Sequence, residues 1–589
     1  MKFTQTQVKS VKTLCCLFVL SLFSYLCGAK EADKLQPLLD EIWQYELSTN
    51  PVLATRYGIH DFDDKLADVS PQALAKQDAK FREFLKKTSH LDKAELNRTE
   101  QISLIIQQGR LQNHIDKYSF NAHYMPLKSE SGFHSQLAFL PRSSRFKTLV
   151  DYQNYLQRLK QFPSYFEQQI NWMKKGLQTG FVQPKVVLQG FEHSVKAFVH
   201  DSAKDSVFYA PFNHFQGTAI DAMAQQKLRE QANSIITEQV FSAYQTFYDF
   251  LMTEYIPKSK TDVAAKSLPN GLAYYQNRSN FYTTSHMSVD DIHSLGLEEV
   301  KRIRGEMQAV VDQLEFEGDI NQFIQYLRTD KKFYAQTAQE LIKQAAYIAK
   351  KMDAKLPQLF NYLPRTPYGV EPVPENIAAK YTTGRYISPT KDDQPGYYWV
   401  NTYALDKRPL YALTALTLHE AVPGHHLQIS LSREMQDLPE VRRYTYISAF
   451  GEGWGLYSEF LGKEVGMYND PYDEFGRLSY EMWRACRLVV DTGMHIKGWS
   501  RQKAIDFMLE NTALSEHNVK TEIERYISWP AQALSYKIGE LTIKKLRKHA
   551  EVELGDKFDL RAFHHAVLEH GSIPLSILEE NINQFIQQQ

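Results

Sequence analysis

The sequence predicts a mainly α-helical protein, one large helical body with a small antiparallel β-sheet. Three observations lead there: apolar residues recur at helical spacing over most of the chain, a single Pro- and Tyr-rich stretch breaks that pattern, and no flexible linker divides the middle. With 589 residues, 43% of them hydrophobic and 23% charged, the chain can bury a sizeable core. Its 68 Lys and Arg nearly balance 69 Asp and Glu, leaving a formal net charge of -1. That balance argues against nucleic acid or an anionic membrane as the main partner.

The first 29 residues stand apart. Lys2, Lys9 and Lys12 precede an apolar run from Leu14 to Leu26, followed by Cys27-Gly28-Ala29, the layout of a secretory signal peptide. The run is short for a membrane span. Cleavage after Ala29 is expected, and lipidation of Cys27 is the alternative and the one route to membrane attachment. Either places the protein in the periplasm or cell envelope. Cys15, Cys16 and Cys27 leave with the segment, so the mature chain keeps Cys486 alone, which reads as inert core packing without a disulfide.

The remaining 30–589 is expected to be one body with an N-terminal helical half, about 30–270, and a second half, about 271–589, that carries the chemistry. Helical spacing marks 71–87, 91–118, 149–178 and 221–254, and Ser70-Pro71 is an N-cap followed by a first-turn proline. Ser288 can cap a helix over 289–315, and another covers 336–352. Between 359 and 403, Pro364, Pro367, Pro372, Pro374 and Pro389 punctuate runs of Tyr and Val, with 396–401 predicted as one strand. Helical spacing then resumes to the C-terminus.

The most informative stretch is His419-Glu420-Ala-Val-Pro423-Gly424-His425-His426. In an unbroken His-Glu-x-x-His helix, two imidazoles one turn apart bind zinc while the Glu faces the reacting water. Here Pro423 stands where the second His would be, and it cannot donate the backbone bond back to His419. A straight helix would set His426 about 10 Å along the axis from His419, too far for one ion. A break must bring His425 or His426 round.

Phe450-Gly451-Glu452-Gly453-Trp454 offers a third ligand, Glu452, between glycines that permit close helix approach. Glu459, two turns on, could hold an imidazole from behind, and the two roles are interchangeable at this level. On a further helix over 472–497, Arg484, Arg487, Asp491 and His495 fall in one arc among apolar residues. Such a buried polar stripe needs internal partners: Asp491 and His495 could orient ligands or substrate, and the arginines could clamp a carboxylate. Tyr536, after Trp529-Pro530-Ala-Gln532, is a candidate oxyanion donor.

These motifs, together with Trp529-Pro530-Ala-Gln532-Ala-Leu-Ser-Tyr536, resemble the bacterial "domain of unknown function 885" family over most of the mature chain. The resemblance implies an exported or lipoprotein-type, helical zinc-peptidase-like body, similar in layout to gluzincin-type oligopeptidases and peptidyl-dipeptidases. It implies His425 as the second ligand and one zinc ion held by His419, His425 and Glu452, with His426 beside them. The expected activity is hydrolysis of a short peptide, Glu420 moving the proton and Tyr536 steadying the oxyanion. In related peptidases substrate lies along a strand edge, a role that 397–401 could fill. Other readings of the same residues are a metal-dependent amidase or esterase and a catalytically silent binding protein.

Overall fold

The structure is a computed structural model that describes residues 31–215, 217–379, 381–389 and 394–589. The signal segment, with Cys15, Cys16 and Cys27, lies outside the described residues. Helices α1 (Glu31–Thr49), α2 (Pro71–Ser89), α3 (Arg98–Ser119), α4 (Leu149–Lys160), α5 (Phe162–Thr179), α6 (Ala222–Ile235) and α7 (Phe241–Phe250) build the first half. Local chemistry sets their ends. Ser70 accepts the Ala73 N–H at the start of α2. Asn97 and Glu100 form a capping box that starts α3 at Arg98, seven residues later than apolar spacing suggested. The helix expected over 149–178 is two, because Pro163 cannot donate to the carbonyl of Leu159. The one over 221–254 is continuous only through π-helical turns at Ile236–Val240 and Leu251–Tyr255.

Strands β1 (Leu127–Lys128) and β2 (Ser131–Gly132) form a minimal ladder, and α8 (Gly271–Thr283), α9 (Val289–Gln313) and α10 (Ala338–Asp353) follow. Ser288 caps α9 through the Asp291 N–H, as its position in the sequence suggests. The second sheet has β3 (Tyr368–Pro372), β4 (Gly384–Ile387) and β5 (Gly396–Val400) in the order β3-β5-β4. β4 pairs antiparallel with β5, Tyr386 opposite Tyr398, and β3 pairs parallel with β5, Val370 opposite Tyr398. The aromatic strand over 396–400 is therefore central, with both edges paired. It cannot offer an edge to substrate, and within this sheet an open edge belongs to β3 or β4.

The second half continues with α11 (Leu413–Glu420), α12 (His425–Glu434), α13 (Ser448–Glu464), α14 (Pro471–His495), α15 (Glu516–Ser528), α16 (Ser535–Leu554) and α17 (Leu560–Leu568). The largest apolar cluster joins Phe166 and Tyr244 of the first half to Tyr398, Trp483 and Tyr526 of the second, so the halves share a core. A second cluster, including Phe450, Trp454, Leu534 and Val567, fills the space behind α13 and α16. Buried ion pairs tie three helices together: Lys537 of α16 meets Glu299 of α9 at 3.0 Å and Glu481 of α14 at 2.9 Å. Cys486 is fully buried, and burial pushes its thiol far up, as core packing requires. Among the described residues no helix is long and apolar enough to cross a membrane.

Candidate metal centre

The helix break decides the geometry. α11 ends at Glu420 and α12 starts at His425, with Val422-Pro423 cis between them. The connecting turn doubles back over the end of α11: a Cβ on Gly424 would lie 1.9 Å from the His419 carbonyl oxygen, so only glycine passes there. The indole of Trp454 holds the turn by donating from Nε1 to the Pro423 carbonyl at 2.8 Å. As a result the rings of His419 and His425 stand edge to face with centroids 4.7 Å apart.

Glu452 enters from α13. Its Oε2 lies 3.3 Å from Nε2 of His425 and 3.6 Å from Nε2 of His419. Donor atoms of His419, Glu420 and His425 also lie within 4.8 Å of one another. Two imidazoles and two carboxylates thus converge in a buried recess. Glu420 is steadied by the Tyr386 N–H, which donates to its Oε2 at 2.7 Å from β4. α13 comes close because Gly455 leaves room for His419: a Cβ there would sit 2.7 Å from the imidazole Cε1.

Glu459 lies behind His419, with Oε1 2.8 Å from Nδ1, and Arg484 meets the same oxygen at 3.1 Å. The acceptor fixes a proton on Nδ1 and turns Nε2 toward Glu452 and His425. Burial alone would lower the basicity of His419, but Glu452 and Glu459 overturn it and raise it to about 9. For Glu452, burial is likewise outweighed by His419 and His425, which hold the carboxyl well below its usual range. A recess this rich in carboxylate favours a cation, and its N and O donors with a carboxylate-backed imidazole fit a zinc ion.

The other sequence-predicted residues separate. His426 turns away from Glu452, its Nδ1 3.1 Å from the Tyr386 hydroxyl and its ring 4.6 Å from that of Tyr368; burial pushes it down to about 4. Tyr536, in the first turn of α16, stacks near His419 with centroids 6.2 Å apart. Arg487, a candidate for the carboxylate clamp, pairs with Glu522 at 3.1 Å and donates to the Tyr526 hydroxyl at 2.7 Å. Arg484 is likewise committed to Glu459. Asp491 and His495 do not orient the cluster imidazoles. Asp491 accepts from Tyr275 and from the Ala531 N–H, holding the turn before Tyr536, and His495 contacts the Ala265 N–H and the Tyr526 carbonyl.

Sequence reasoning missed Tyr386 and Tyr446. Tyr446 is 44% exposed and its ring lies 6.2 Å from His425. Neither tyrosine sits in a spaced motif, so nothing in the linear pattern marked them.

The family model for bacterial proteins of unknown function, DUF885, matches residues 51–582. The chain belongs to this family. A candidate lipoprotein from Colwellia psychrerythraea has a similar crystal structure, with 29% identity, a TM-score of 0.89, and 95% of this chain and 100% of that one covered. A candidate lipoprotein of unknown function from Shewanella oneidensis, 17% identical with a TM-score of 0.70 over 94% of this DUF885 chain and 99% of its own, shares the fold. No curated protein matches the chain.

Proposed function

We propose that this DUF885 protein is an exported zinc-dependent hydrolase, a metallopeptidase acting on short peptides. The observation that carries the reading is the meeting of His419, His425 and Glu452 with Glu420 beside them. A zinc ion held by the first three would supply Lewis acidity, making water a nucleophile at neutral pH and polarising a substrate carbonyl. Glu420 takes the proton released by the attacking water at its carboxylate and returns it to the leaving amine. Its bond from the Tyr386 N–H keeps that carboxylate oriented through both transfers. Tyr536, stacked near His419, donates to the oxygen that gains charge. Glu459 and Arg484 keep His419 in one tautomer.

The signal-like N-terminus and the candidate lipoproteins among the similar structures support a place in the cell envelope, with Cys27 as a possible lipid site. The deciding experiment combines zinc analysis of purified protein with a fluorogenic peptide panel and Glu420→Gln. The expected result is near-stoichiometric zinc in both proteins and turnover only with Glu420 present. Full turnover by Glu420→Gln removes Glu420 from the mechanism, and zinc with no peptide cleaved favours an amidase or esterase.

A further inference from the structure

A cavity of about 380 Å³ opens where α2 and α3 of the first half meet α8 and the Ser528–Pro530 turn of the second. That turn leads directly into Gln532 and Tyr536, so the cavity neighbours the segment that delivers a residue to the cluster. Its size is that of a small-ligand site. Three cations line it, Lys117, Lys128 and Arg278, against one acid, Asp78, which is already paired with Arg82 at 2.8 Å. Among the described residues none of the three cations has a carboxylate within ion-pair distance, in a protein whose surface acids elsewhere pair freely with Lys and Arg.

Two of these cations are built in. Arg278 is only 4% exposed, and neutral amides hold it: Nη1 donates to Asn113 Oδ1 at 2.9 Å and Nε to Asn277 Oδ1 at 3.0 Å. Lys128 places its Nζ 3.1 Å from the centre of the Trp529 ring. Enclosure, then the nearby Lys117, Arg525 and Arg385, pushes Lys128 down to about 7 despite Glu130. Gathering like charges in an enclosed space is costly unless an anion joins them. The positive field continues toward the cluster. Arg525 bonds Gln532 Oε1 at 2.7 Å, and Arg385 adjoins the Tyr386 that steadies Glu420.

Arg484 and Arg487 each pair with an internal carboxylate, whereas the cations of the cavity do not. We propose that the cavity of Lys117, Lys128 and Arg278 binds a carboxylate of the ligand, the free C-terminus or an acidic side chain of a peptide, with Trp529 and Tyr282 packing its apolar part. Calling that ligand a substrate rests on the hydrolase reading; the carboxylate site itself does not.

The test uses the full mature chain with Glu420→Gln to prevent turnover, and calorimetry with three probes: acetyl-Ala-Ala-Phe, its C-terminal amide, and acetyl-Asp-Ala-Phe-amide. A charge-assisted contact predicts that at least one carboxylate probe binds about tenfold or more tightly than the uncharged amide. The first acid shows recognition of the C-terminus, the second of a side chain. Adding Lys117→Met with Lys128→Met should collapse that preference to near unity, while Lys128→Arg alone retains it. Equal binding of acids and amide overturns the proposal. So does a preference that survives loss of both lysines, which would assign the carboxylate to the metal cluster instead. Discrimination without any peptide turnover by the wild type leaves the carboxylate site and sinks the peptidase. Turnover without discrimination does the reverse.

Discussion

Replacing Gly455 with alanine puts the reading of the cluster to a quantitative test. The added Cβ would lie 2.7 Å from Cε1 and 2.8 Å from Nε2 of His419, where ordinary contact needs about 3.5 to 4 Å. Either the imidazole retreats by roughly 1 Å or α13 moves, carrying Glu452 with it. His419 is 2% exposed and tied at Nδ1 to Glu459, so it has little room to yield without losing that bond. Metal–ligand distances tolerate about 0.2 Å, and disturbance of supporting contacts costs about 10- to 100-fold in affinity. Gly455→Ala should therefore bind zinc at least tenfold more weakly in competition with a chelator, besides losing about 1 to 3 kcal/mol from overpacking. Gly462→Ala is the control. On the same helix its Cβ would meet Leu418 and Tyr468 at 2.6 Å, so it should destabilise comparably yet keep its zinc affinity. Equal zinc affinity in Gly455→Ala and wild type would refute the placement of His419 as a ligand.

Other expectations follow from the same contacts. Glu459→Ala removes the acceptor from His419 and leaves Arg484 buried without its partner, so zinc affinity should fall about 10- to 100-fold and stability by about 3 to 5 kcal/mol, with Glu459→Gln milder on both counts. His564 donates from Nδ1 to the Leu359 carbonyl at 2.8 Å and accepts the Tyr457 hydroxyl at Nε2 at 2.9 Å, and burial pushes it down to about 3. Its folded value lies below the unfolded one near 6.5, so the unfolded chain gains a proton first and stability is lost as pH falls through that window, by about 1.4 kcal/mol per pH unit. In urea unfolding at pH 6 and pH 5, His564→Asn should lose that share of the slope, and an unchanged slope would show that His564 is charged in the fold. Iodoacetamide should leave Cys486 unlabelled in native protein and label it in urea, because the thiol is fully buried; native labelling would contradict that burial.

Much of this protein is legible in one dimension. Helical periodicity, the Ser70-Pro71 and Ser288 starts and the proline-punctuated strands follow from local preferences that each segment carries with it. So does the necessity of a break after Glu420, since Pro423 has no N–H to continue the helix. The candidates His419, Glu420, Glu452 and Glu459 stood out because their spacing is itself chemical information, which left the second imidazole between His425 and His426 until the family resemblance pointed to His425. What distance along the chain does not encode is direction across space. Only the fold set Glu452 before the two imidazoles and Glu459 behind one of them, and turned His426 toward Tyr386. Only the fold spent Arg487 on Glu522 and brought Lys117, Lys128 and Arg278 to one cavity from three separate elements. A near-neutral chain can hold a strongly positive recess, because net charge is a sum over the sequence whereas a field depends on which charges the tertiary packing makes neighbours.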